Sequence, residues 1–118
     1  MSRFIDIISP IYQDLLTRCE RRKITINLDI QDLSLKISND DIIRDFYATE
    51  LKRALKLCQS GDKITIAQAV NDDSVRLSVK NSSRTLLDNE TIEKLRADGY
   101  EIRSRFGYDT IIAKKISK

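Results

Sequence analysis

NDDIIRDFYATELKRALKLC, residues Asn39 to Cys58, followed at once by QSGDKITIAQAV up to Val70, is the stretch on which the fold turns. In its first half Ile43, Phe46, Tyr47, Leu51, Ala54, Leu55 and Cys58 recur at three- and four-residue steps, the spacing of one buried helix face. Ser38 with Asp41 makes a start resembling a capping box. The acidic pair Asp40 and Asp41 suits the positive end of a helix, and Ser60-Gly61 supplies a stop. In the second half the period drops from 3.6 to 2: Ile64 and Ile66 alternate with Lys63 and Thr65, as in a half-buried strand. A long helix running into a strand is therefore the centre of the molecule.

Upstream, Phe4, Ile7, Ile8, Ile11, Tyr12, Leu15 and Cys19 form another helical stripe. Pro10 lies inside it, so either the helix kinks there or it starts afresh with Ser9 as N-cap and Pro10 in the first turn. Ile24, Ile26, Leu28 and Ile30 then alternate with polar residues, and Leu33, Leu35 and Ile37 repeat the alternation as a second strand. Downstream, Lys63 to Val70 and Ser74 to Lys80 flank Asn71-Asp72-Asp73, a hairpin turn. A short helix from Asn89 to Ala97 is capped by Asp88 and ended by Gly99. Tyr100 to Phe106 alternates, Gly107-Tyr108-Asp109 turns, and Thr110 to Ile116 closes the chain. The order α-β-β-α-β-β-α-β-β predicts an α+β two-layer sandwich: a mixed or antiparallel sheet with three helices on one face, forming one domain over residues 1–118.

Composition agrees and narrows the chemistry. A chain of 118 residues with 41% apolar and 33% charged residues has the balance of one globular domain and is long enough for one core. It contains no histidine, which removes the Ser-His-Asp triad, an imidazole base, a histidine metal site and a phospho-accepting histidine from these residues. Cys19 and Cys58 fall in helical stretches, not in a CxxC pair, and read as small buried hydrophobes. With no signal-peptide pattern and no long apolar run, the expectation is a cytoplasmic protein with reduced thiols that does not enter a membrane. A net charge of +3 does not by itself argue for nucleic acid. The basic residues near the end, Arg103, Arg105, Lys114, Lys115 and Lys118, read first as a solvated sheet face.

The ordered set of elements resembles the ATP-binding domain of sensor histidine kinases, the Bergerat fold. The words that carry the likeness are Lys23 to Leu28, Asn39 to Cys58, Gly61 to Ile66, Val75 to Lys80 and Asp98 to Ile102. In that family two asparagines four residues apart on the second helix face the nucleotide, and the second helps to hold Mg²⁺. The matching positions here are Thr49 and Arg53. A guanidinium has no acceptor, so Arg53 is no ligand for a hard cation. Lys56 matches the helix's usual basic residue. The family's Asp-x-Gly-x-Gly, which binds adenine, corresponds to Asn81-Ser82-Ser83-Arg84-Thr85, without either glycine. Between Thr85 and Asn89 only a few residues stand where the family carries its ATP lid.

The resemblance thus implies a degenerate kinase-like domain with no ATP, metal or other cofactor and no catalysis. Its former pocket, around Thr49, Arg53, Lys56 and Asn81, would bind a protein partner such as a response regulator or a histidine kinase. Two other readings stand beside it. In one, Arg53, Lys56 and Arg84 form a remodelled phosphate or nucleotide site. In the other, the basic last hairpin with Tyr100, Phe106 and Tyr108 binds nucleic acid, against which the aromatics alternate as core residues do.

Overall fold

The computed structural model describes residues 2–118. The elements are β1 (Ser2–Arg3), α1 (Phe4–Arg22), β2 (Thr25–Ile30), β3 (Lys36–Ile37), α2 (Asp40–Leu57), β4 (Lys63–Val70), β5 (Ser74–Asn81), α3 (Asn89–Ala97), β6 (Glu101–Arg103) and β7 (Thr110–Ser117). Five strands form a sheet in the order β2-β4-β5-β7-β6. The pair β2–β4 is parallel, because the chain crosses over through α2 between them. The other three pairs are antiparallel, which makes the sheet mixed.

One face of this sheet is apolar and covered: Ile64 and Ile66 of β4, Val75, Leu77 and Val79 of β5, and Ile112 and Ile116 of β7 are all buried. α2 lies over its centre and packs through Ile43, Phe46, Tyr47, Leu51, Ala54 and Leu55. Each such side chain stabilises the fold by about 1.5–3 kcal/mol on leaving water. α1 packs beside α2 through Ile7, Ile8, Leu15 and Cys19. The Arg22 guanidinium then joins the two helices, donating to the carbonyls of Leu55 and Cys58 at 2.6 Å each, where the end of α2 leaves acceptors free.

One open alternative is resolved and three expectations need correction. α1 is one helix running through Pro10, and Ser9 does not cap it: its hydroxyl donates back to the Ile5 carbonyl at 2.7 Å. The apolar stripe keeps phase on both sides of Pro10, so packing outweighs the missing backbone bond. Leu33 and Leu35 do not belong to a strand. Their carbonyls accept the N–H groups of Ile5 and Phe4, the otherwise unpaired donors at the start of α1. Only Lys36–Ile37 is extended, and it pairs with Ser2–Arg3 in a separate two-stranded ribbon. The start of α2 has Asn39 as N-cap with no side-chain cap bond, and Asp40 accepts from Ser2 Oγ, so Ser38 and Asp41 form no capping box. Finally, β6 ends at Arg103. Phe106 is 89% exposed and Tyr108 58%, so the hairpin tip leaves the core that their alternation suggested.

The third helix follows its local signals: Asp88 Oδ1 accepts the Thr91 N–H at 2.7 Å, and Gly99 takes φ of +87° just beyond its end. That capping bond holds the Asp88 carboxyl below the usual range. The two cysteines are buried and free. Burial raises both thiols, Cys58 to about 11.

Candidate functional site

The residues singled out on α2 do form one surface. Thr49, Arg53 and Lys56, spaced four and three residues apart, share a helix face with Ala48 and Lys52 and line a shallow recess of about 320 Å³. The recess carries three cations. Thr49 and Lys56 are exposed, and Arg53 is held down: its Nε donates to Glu50 Oε2 at 3.2 Å.

Asn81 does not join them. It ends β5, lies only 3% exposed between Ile64 and Thr110 of the neighbouring strands, and its Oδ1 accepts the Ser83 N–H at 3.1 Å. Ser83 is engaged in turn, its hydroxyl donating to the Leu57 carbonyl and accepting the Thr85 N–H. The stretch Asn81 to Thr85 is therefore occupied with pinning its own turn to the end of α2. The Leu87 N–H continues the pattern by donating to Ser104 Oγ at 3.0 Å. Seven residues, 82–88, connect β5 to α3.

Beyond that connection α3 rests on the sheet through buried Leu95, and Tyr100 brings its ring to 5.9 Å from that of Phe46. Lys114 Nζ stands 5.3 Å from the Tyr100 ring centre. Burial first, and the nearby negative charges of Glu50 and Asp98 second, push the Tyr100 phenol up. The cations Arg53, Lys56 and Arg84 are not gathered: the first two line the α2 recess, whereas Arg84 lines two other recesses with residues of the loops around it. The structure gives the phosphate-site reading no common centre.

Sequence reasoning missed Glu50. It is 1% exposed, its Oε1 has no partner among the described residues, and burial raises its carboxyl, with the Arg53 charge opposing. The signal was available, since Glu50 stands three or four residues from Phe46, Tyr47 and Ala54, squarely on the apolar face.

No protein-family model matches this sequence, and no curated protein does. Solved structures match closely in shape. The nucleotide-free catalytic domain of the histidine kinase ThkA superposes with a TM-score of 0.81 over 99% of this chain and 93% of that one, at 16% identity. The Acinetobacter baumannii histidine kinase AdeS gives 0.74 over 98% of this chain and 64% of that one, at 15% identity. ThkA in complex with the response regulator TrrA gives 0.79 over 99% of this chain and 41% of the kinase, at 17% identity. The chain has the fold of a histidine kinase catalytic domain.

Proposed function

We propose that this chain is a non-catalytic kinase-like domain that serves as a protein-binding or regulatory module in two-component-type signalling, without binding ATP or passing phosphate. The observation that carries the reading is the Arg53–Glu50 pair on α2. Where the resemblance places an oxygen ligand for Mg²⁺, this helix presents a guanidinium tied back to its own carboxylate, so the residues present do not fit the metal. Asn81 and Ser83 support the same reading, because their polar groups are committed to the local turn. So does the seven-residue link, short for a segment that must fold over a triphosphate.

The α2 recess of Thr49, Lys52, Arg53 and Lys56 is the proposed docking surface, and its positive charge suits an acidic partner. Asn81 is left out of it by burial. That a kinase domain of this fold was solved with a response regulator supports a partner of that class or a histidine kinase. A cytoplasmic location accords with the absence, among the described residues, of any helix long and apolar enough to cross a membrane.

Two titrations test the proposal. A fluorescent ATP analogue with Mg²⁺ should show no saturable binding at millimolar concentration, and receiver domains should bind in a manner weakened by Lys52→Glu with Lys56→Glu. ATP binding tighter than about 100 μM and abolished by Arg53→Ala would overturn it.

A further inference from the structure

A second surface lies where two loops meet, and it shares no residue with the α2 recess. Ser82, Ser83, Arg84 and Leu86, after β5, and residues 105–109, between β6 and β7, line a recess of about 450 Å³. Its apolar walls are Leu86, Phe106 and Tyr108, exposed by 40%, 89% and 58%. Its cations are Arg84 and Arg105, with Asp109 the acid that also lines it.

Nothing in the fold requires Phe106 to stand there. Large apolar side chains left open to water in a cluster mark a place that another molecule covers. The turn that displays Phe106 is also closed by a backbone hydrogen bond. The Tyr108 N–H donates to the Arg105 carbonyl at 3.1 Å, closing a turn whose third residue, Gly107, supplies the φ of +84° that a side chain would resist. Arg103 and Arg105 place their guanidinium carbons 5.5 and 5.2 Å from the Tyr108 ring centre, which holds that ring in place beside the recess. A preformed aromatic and arginine patch loses little entropy on binding, and these residue types dominate binding energy at protein interfaces.

Charge decides the partner. The patch is a small basic island: Asp109 lines the same recess as Arg84 and Arg105, and Asp62 lines the adjoining recess with Arg84. A single-stranded nucleic acid needs a continuous cationic track and several free ring faces. Here the track is interrupted by acids, and Phe106 is the ring that no guanidinium engages. We infer that the recess between the 82–86 and 105–109 loops is a docking site for an acidic protein segment bearing one bulky apolar side chain. That side chain seats against Leu86, Phe106 and Tyr108, and flanking carboxylates meet Arg84 and Arg105.

The experiment titrates the full chain with three fluorescein-labelled probes: a short peptide of Glu and Asp around a central Leu-Phe, the same peptide with Gln and Asn for the acids, and an oligothymidylate of matched charge. The acidic peptide should bind, and Phe106→Ala, Arg84→Glu or Arg105→Glu should each weaken it at least about tenfold. Lys115→Glu and Lys36→Glu, at exposed positions of β7 and β3, should each change it by less than about twofold. Tighter binding of the oligonucleotide would hand the patch to nucleic acid. Equal binding of the amidated peptide, equal damage by Lys115→Glu, or no peptide binding would each overturn the inference. Since the α2 variants are a separate arm, failure here is distinct from failure of the α2 docking surface.

Discussion

Glu50 reaches one turn along α2 to accept from Arg53 Nε at 3.2 Å, and its second oxygen is buried without a partner among the described residues. The pair spans the boundary between the helix's core face and its solvent face, with Glu50 at 1% exposure and Arg53 at 30%. An ionised carboxylate in that position is held by one hydrogen bond where water would offer several, and burial raises its affinity for a proton. The folded state therefore binds the proton more tightly than the unfolded chain. The stability this gives is complete below the ordinary carboxylate value of 4.5 and is lost as pH rises through the raised folded value. Glu50→Gln should melt higher than the parent protein at pH 7, with the gap closing towards pH 4. Parallel melting curves for the two proteins across that range would show that Glu50 ionises normally.

A second polar side chain on the core face acts differently, because both its groups are used. Gln68 is 3% exposed; its Oε1 accepts the Asp32 N–H at 2.7 Å and its Nε2 donates to the Asp32 carbonyl at 3.0 Å. This clamp holds the segment that follows β2 and passes the N-terminus of α1, where Leu33 and Leu35 accept its first N–H groups. Gln68→Ala should cost about 1–3 kcal/mol by orphaning two backbone groups. Hydrogen exchange should quicken at residues 31–35 and at the start of α1. A loss of stability without that local effect would assign the cost to the cavity alone.

Leu51 tests the packing of α2 on the sheet. At 3% exposure it belongs to the buried face with Phe46, Ala54 and Leu55. Leu51→Ala should lower the unfolding free energy by about 2–5 kcal/mol, measured by urea titration. A cost under about 0.5 kcal/mol would place it among surface substitutions.

How much of this was legible in the sequence depended on how local each signal is. α3 was readable at both ends, because Asp88 and Gly99 act within one turn of the helix they bound. The hairpin from Lys63 to Lys80, which the structure extends by one residue to Asn81, was readable because Asn71-Asp72-Asp73 separates two alternating runs. Leu33 and Leu35 were not, since alternation describes an extended chain whatever accepts its hydrogen bonds, and here those bonds go to the start of α1. Phe106 was not, because the alternation from Tyr100 carries on beyond Arg103, where β6 loses its partner strand. At the candidate site, Thr49, Arg53 and Lys56 were named by the resemblance, and helical spacing explains why they share one face. Asn81's burial depends on the strands at either side of it, which only the sheet order reveals.

Tyr47 contributes to the alkaline limb of stability. Its ring lies between Phe4 and Phe46, with centroids at 6.0 and 5.1 Å, and its hydroxyl donates to the Ala67 carbonyl at 2.6 Å. Burial pushes its phenol far above the usual value of 10, with a weaker backbone hydrogen bond from Ser78 opposing. The thiols of Cys19 and Cys58 move the same way, Cys58 to about 11. For all three groups the unfolded chain gives up its proton first as pH rises, so the linkage has one sign. Stability is full below the unfolded thiol value of 9.0 and declines above it. Tyr47→Phe should cost about 0.5–1.5 kcal/mol at pH 7, from the hydrogen bond lost at Ala67. The same variant should decline less steeply than the parent between about pH 9 and 11, because it has one fewer group to ionise on unfolding. Urea midpoints at intervals across that range read both effects, and Cys58→Ala provides the matching thiol control. Parallel declines for the parent and Tyr47→Phe would show that the phenol titrates alike in the folded and unfolded chains.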